Sequence, residues 1–241
     1  MTIITKLGGC AAALFLVAAT TSTVSAAEAG NPVWGLVKVD KLEYRAADET
    51  NTVAWDAQAR AGTDTNKVAF KTAGEYVPDD DSFEKVETQL LYMRMATDFF
   101  DIQAGVRHDF EPGPERTYAV LGVNGLAPQW FEVDANLFLS DHGDASARVE
   151  AEYDILLTQR LILQPQAEIN IAFSDDRPLG IGAGFSSIEA GLRLRYEIER
   201  EFAPYIGVAW ERGLGETAIR TRADGEDPER TSLVAGVAVF F

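Results

Sequence analysis

The chain has 241 residues, 21 of them Lys or Arg and 38 Asp or Glu, for a formal net charge of −17 at pH 7. That balance argues against a nucleic-acid partner, since phosphate is bound through an excess of lysine and arginine, and it suits cation attraction or plain solubility. The only cysteine is Cys10, so the chain beyond it holds neither a disulfide nor a thiolate metal site.

Residues 1–26 read as a secretory signal peptide. Lys6 gives a short positive region, Leu7 to Thr20 are apolar or small, and Val24-Ser25-Ala26 supplies small residues for cleavage. The apolar core is too short to cross a bilayer as a helix. Leu7-Gly8-Gly9-Cys10 has the look of a lipoprotein box, but the apolar run follows the cysteine instead of preceding it. Residues 27–241 carry no Pro/Ser-rich linker and no shift in composition, so they form one domain. No long apolar run follows the leader, which excludes a helical membrane protein. A soluble acidic periplasmic protein is the plainest reading of composition alone.

The pattern along the chain points elsewhere. Phe100, Ile102, Ala104 and Val106 alternate with Asp101, Gln103 and Arg107. Phe131, Val133, Ala135, Leu137 and Leu139 alternate with Glu132, Asp134, Asn136 and Ser140, with Phe138 out of step. Similar runs cover Arg148 to Leu157, Leu161 to Ile171 and Ile188 to Glu199. A period of two marks strands with two unlike faces. Twelve strands are expected, starting near Trp34, Thr52, Asn66, Phe83, Phe99, Arg116, Trp130, Asp144, Arg160, Phe185, Phe202 and Thr231. They are longer than the usual five or six or so residues of a soluble sheet and match the roughly nine to eleven of a membrane-spanning strand.

Connections alternate between tight turns (Thr97-Asp98, Thr158-Gln159, Arg200-Glu201) and longer polar loops (Ser174 to Gly184, Arg212 to Arg230). Trp34, Phe99, Trp130, Phe131, Phe202 and Phe241 gather beside the tight turns, as an interfacial girdle would. The last strand, Leu233, Ala235, Val237, Val239, Phe241, ends on an aromatic. The expected fold is therefore all-β: a transmembrane antiparallel up-and-down barrel of about twelve strands, apolar outside and polar in its lumen.

Several stretches, taken in order, carry a family resemblance: Trp34-Gly35-Leu36-Val37-Lys38-Val39-Asp40, Ala54-Trp55-Asp56-Ala57-Gln58, Gly125-Leu126-Ala127-Pro128-Gln129-Trp130-Phe131, Ser140-Asp141-His142-Gly143, and Phe202-Ala203-Pro204-Tyr205-Ile206-Gly207-Val208-Ala209-Trp210-Glu211-Arg212. Together they resemble the copper-resistance protein B family of outer-membrane proteins. The resemblance implies a barrel in the outer membrane of a Gram-negative bacterium, serving copper tolerance by binding copper ions or helping their export. Outer-membrane lipid and a periplasmic copper protein are the implied partners. Family members often carry a Met- and His-rich segment before the barrel, whereas only Ala27 to Val33 separate the expected cleavage point from the first strand here, without Met or His.

Copper ligands must then come from the barrel. Cu(I) takes thioethers, and Cu(II) accepts imidazole and carboxylate. The candidates are Met93, Met95, Asp101, His108 and His142. Met93 and Met95 share a face and, across the turn at Thr97-Asp98, fall opposite Asp101 and Gln103, in the lumen with Glu87 and Gln89; the bland alternative makes the methionines gap-filling apolar residues. His108 lies on the apolar face near the loop rim, and His142 sits in a polar loop beside Asp141. Charges expected on inner faces include Asp134, Arg148, Glu150, Glu168, Glu189, Arg193 and Glu211, which should pair across the wall. No enzyme is expected. A lipid hydrolase would need Ser140 and His142 in contact with a third group, and a general small-solute channel is the other alternative.

Overall fold

The computed structural model describes residues 32–48 and 50–241; the expected signal peptide lies outside the described residues. The strands are β1 (Trp34–Ala46), β2 (Thr52–Gly62), β3 (Asn66–Val77), β4 (Ser82–Met95), β5 (Phe100–Glu111), β6 (Arg116–Ala127), β7 (Phe131–Ser140), β8 (Ala145–Glu152), β9 (Ile155–Leu156), β10 (Leu161–Ala172), β11 (Gly184–Tyr196), β12 (Phe202–Gly213) and β13 (Glu229–Phe240). The short β8 and β9 both pair with β10 and are two pieces of one barrel strand, interrupted at Tyr153-Asp154. Each barrel strand pairs antiparallel with the next, and β13 pairs back onto β1. The result is a closed antiparallel barrel of twelve strands, which leaves no edge unpaired. Every strand begins within two residues of the position read from the sequence.

Alternation dictates which way the side chains face. Leu121, Leu137, Ile206 and Leu233 stand outward and are 52–67% exposed, while charged neighbours such as Glu43, Arg116 and Arg193 are buried inside. This inverts the pattern of a water-soluble core and is the outer-membrane arrangement. Among the described residues no helix is long and apolar enough to cross a membrane.

The turn-rim aromatics Phe99, Trp130, Phe131, Phe202 and Phe241 are all exposed. A second set, Tyr44, Phe83, Phe110, Phe173 and Phe185, is exposed near the opposite rim. The sequence reading placed only the first, although girdles at both interfaces are the general rule. At the second rim Trp55 lies across Gly74, its direct cross-strand partner, and a Cβ there would overlap the indole. Trp55 also meets Phe83 edge to face at 6.1 Å.

The loop before β13 holds a feature absent from the sequence reading, a helix α1 (Gly215–Ala223). Its sequence is polar, so it gave no apolar stripe by which to be found. It packs on β11 and β12.

An arginine on the lipid face should cost about 2–4 kcal/mol near the bilayer midplane. Leu121→Arg is expected to lower the stability of the vesicle-inserted barrel by that amount in urea titration.

Candidate functional site

The lumen is crossed by ion pairs. Glu43 on β1 accepts two hydrogen bonds from Arg193 on β11, both 2.9 Å, one from Tyr205 at 2.9 Å and one from Arg45 at 2.9 Å. Arg45 reaches on to Glu75 at 2.9 Å and to Glu189 at 3.1 Å. A second hub is Glu87, held by Arg148 from β8 through two hydrogen bonds of 3.1 and 3.0 Å and by Arg107 at 2.9 Å. Phe138, the residue out of step in its strand, is explained here. It points inward between the guanidinium groups of Arg107 and Arg148, 4.6 and 5.6 Å from its ring centroid. Charges so deeply buried are tolerable because each is paired and hydrogen-bonded.

These cross-links do not fill the lumen. A cavity of about 530 Å³ runs from the short-turn rim, at Thr97, Asp98 and Phe99, to the middle of the barrel at Glu87 and Arg148. Nine carboxylates and six basic side chains line it, so its wall is net acidic. Lys67 pairs with Asp101 at 2.5 Å, and Lys71 with Asp134. Asp56, Glu132, Glu150 and Glu152 also line it, and no hydrogen bond or ion pair to them occurs among the described residues.

The five candidate ligands fall in three places. Met95 and Asp101 are direct cross-strand partners, and both line the cavity. Met93, opposite Gln103, also faces inward but is 0% exposed, packed in an apolar cluster with Ala69, Leu91, Tyr118, Val120 and Phe138. His108 faces outward near the loop rim, its Nδ1 2.9 Å from Thr117 Oγ1 and its ring 4.5 Å from Phe110. His142 lies in the loop after β7, its Nδ1 2.8 Å from Asp141 Oδ1, a bond that holds the Asp141 carboxyl below its ordinary range. Among the described residues no three His, Cys, Asp or Glu side chains converge as a metal cage. The hydrolase geometry is not formed either: Ser140 Oγ accepts the backbone N–H groups of His142 and Asp144, while the His142 ring turns to Asp141.

Sequence reasoning missed the β1–β3 side of the site, including Glu43 and Arg45. The register of β1 shifts between Val39 and Lys41, which breaks the period of two just before them.

The loop rim is partly covered. Residues 173–183 connect β10 to β11, and from there Asp176 reaches Arg116 at the start of β6, at 3.3 Å. Helix α1 braces this loop: Arg220 donates to Ile181 O at 2.6 Å and pairs with Asp175 at 3.1 Å, and Thr217 accepts the Gly182 N–H at 3.0 Å. The Ala183 amide and then the Arg220 guanidinium hold the Asp175 carboxyl below its usual range.

A model of the family described as "Copper resistance protein B precursor (CopB)" matches residues 33–241. Copper resistance protein B of Escherichia coli is 42% identical over 206 residues, covering 86% of this chain and 69% of that protein. A copper resistance protein B homolog of Pseudomonas syringae pv. tomato is 41% identical over 202 residues, covering 84% and 68%. Among solved structures, the NanC porin matches with a TM-score of 0.54 at 13% identity, covering 86% of this chain and 99% of that one. The KdgM porin matches with a TM-score of 0.50 at 10% identity and the same coverage. At those identities the porins bear on fold alone.

Two outcomes are expected. Glu43→Ala strands two arginines and a tyrosine and should cost about 3–5 kcal/mol in equilibrium unfolding of the detergent-solubilised barrel. Because the Asp175 carboxyl is depressed, its contribution to the docked loop is complete at neutral pH and disappears as pH falls through its lowered value. The protection of the Ala183 amide against hydrogen exchange, relative to its free-chain rate at each pH, should hold down to roughly pH 4, the ordinary carboxylate range, and fall below it.

Proposed function

This chain belongs to the copper resistance protein B family, and we propose that it sits in the outer membrane and handles copper ions through its lumen, after secretion with residues 1–26 as the leader. The copper-resistance role comes with the family. The observation that carries the finer reading is that the family match runs the length of the barrel, 33–241. The barrel itself is thus the shared part, and its net-acidic cavity at the short-turn rim is where a cation would be received.

Up-and-down barrels of this kind place short turns on the periplasmic side and longer loops outside. The cavity then faces the compartment from which copper must be cleared. Met95 beside Asp101 offers a thioether and a carboxylate at the mouth, an arrangement open to either oxidation state of copper in passing. Met93 is withheld by its packing. His108 and His142 lie apart from the cavity, so they would meet copper only at the loop rim. The absence of a convergent cage among the described residues favours transient contact over storage. A periplasmic copper protein delivering to the turn rim fits this polarity.

The alternative, a general small-solute channel, predicts conductance without a copper phenotype. A deletion strain separates the two. It should grow poorly in copper and be restored by the wild-type gene. Met95→Leu should restore it only in part, while Met93→Leu, close in volume and away from the cavity, should restore it fully. Undiminished copper tolerance in the deletion strain would sink the reading.

A further inference from the structure

The barrel's register creates a feature that no single strand shows. Asp101 on β5 stands directly opposite Asn124 on β6, and Asn124 opposite Asp134 on β7. Asp134 then opposes Glu150 on β8, and Glu150 opposes Glu168 on β10. Glu168 opposes Glu189 on β11, Glu189 opposes Glu211 on β12, and Glu211 opposes Arg230 on β13. Five adjacent strands thus carry a carboxylate in one unbroken lateral row.

Like charges directly opposite one another destabilise a sheet, and wall cross-linking calls for opposite signs side by side. Here one sign repeats from Asp134 to Glu211. Strands in a barrel tilt, so a lateral row climbs as it winds. At a spacing of about 4.8 Å and a tilt of about 40°, each step rises roughly 3 Å. Seven pairings lift the row by roughly 20 Å, close to the ~25 Å height of the apolar band. It begins beside the turn-rim cavity, where Met95 opposes Asp101, and ends at Arg230 near the loop rim.

A second observation points to a ligand. Gln89 is 7% exposed and lines the same cavity as Asp134 and Glu150. Its amide nitrogen donates to Glu87, and its carbonyl oxygen has no hydrogen-bond partner. An uncommitted buried oxygen beside carboxylates is the donor set of a hard or borderline cation.

We propose that this row is a track for divalent cations, Cu(II) among them, leading from the turn rim to the loop rim. Most carboxylates on it hold a resident counter-cation: Lys67 at Asp101, Lys71 at Asp134, Arg148 at Glu168, Arg45 at Glu189 and Arg230 at Glu211. An entering divalent ion displaces these in turn. Glu150, midway and without such a partner among the described residues, is the open station. Successive two-carboxylate stations bind loosely enough to release the ion again, which conduction requires. For its biological cargo the proposal rests on the copper-handling reading above, but its test is made on the purified barrel and is independent of any growth phenotype.

The test is planar-bilayer recording of the purified chain and of Glu150→Gln, Glu150→Asp and, off the row, Glu115→Gln. Resistance of each barrel to unfolding in SDS reports that it is folded. Wild type and Glu115→Gln should be cation-selective in a potassium chloride gradient, and added copper(II) chloride should inhibit their potassium current. Glu150→Gln replaces a carboxyl that forms no ion pair among the described residues and should lower cation-over-anion permeability about fivefold, the scale of one nearby charge in a wet lumen, with weaker copper inhibition. Glu150→Asp should retain both properties. Anion selectivity, no current through the folded wild type, or a folded Glu150→Gln indistinguishable from wild type would each overturn the track. A copper-sensitive deletion strain combined with any of those results would leave the family role standing and the track rejected.

Discussion

Everything in this molecule depends on pairing charge across a narrow, closed lumen. Strand alternation puts apolar side chains against lipid and so forces every polar one inward. Once inside and away from the open cavity, a carboxylate or guanidinium is held by an opposite charge, in the two hubs by one from another strand. Glu43 with Arg193 and Arg45, and Glu87 with Arg148 and Arg107, meet that demand by joining strands far apart in sequence. The cross-links set the lumen's shape as much as the hydrogen-bonded wall does. They occupy the middle, and the open volume is left at the turn rim.

That division gives the two halves different work. The middle is held by multidentate arginine pairs, which are specific in geometry and costly to break. The turn-rim half relies on single lysine contacts, Lys67 with Asp101 and Lys71 with Asp134, and several of its acids form no hydrogen bond or ion pair among the described residues. A lysine on a flexible stem yields its place more readily than a forked guanidinium. The middle is therefore the rigid part, and the turn-rim half is the loosely held one.

Most of the fold was legible because the period of two is a direct imprint of a wall with lipid on one side and water on the other. Strand positions, the alternation of turn and loop, and the inward placement of Met93, Met95 and Asp101 could all be read that way. What escaped has physical reasons. The bulge in β1 hid Glu43 and Arg45. The polar α1 carried no apolar stripe. Phe138 looked like an error of phase until the two guanidinium groups on its ring were seen. The carboxylate row could not be read at all, since a strand shows only its own residues while the row belongs to the register between strands. Copper itself entered through family resemblance, because no ligand spacing in the chain announces it.

The strap of residues 173–183, tied to Arg116 and braced by α1, makes the barrel unequal at its two mouths. A nutrient porin must admit bulky solutes from the surroundings, and a bacterium that makes many copies of one becomes leaky to drugs and detergents of similar size. A barrel narrowed at its loop rim and roomy at its turn rim has the opposite economy. Many copies of such a barrel open no wide passage in the membrane that holds them.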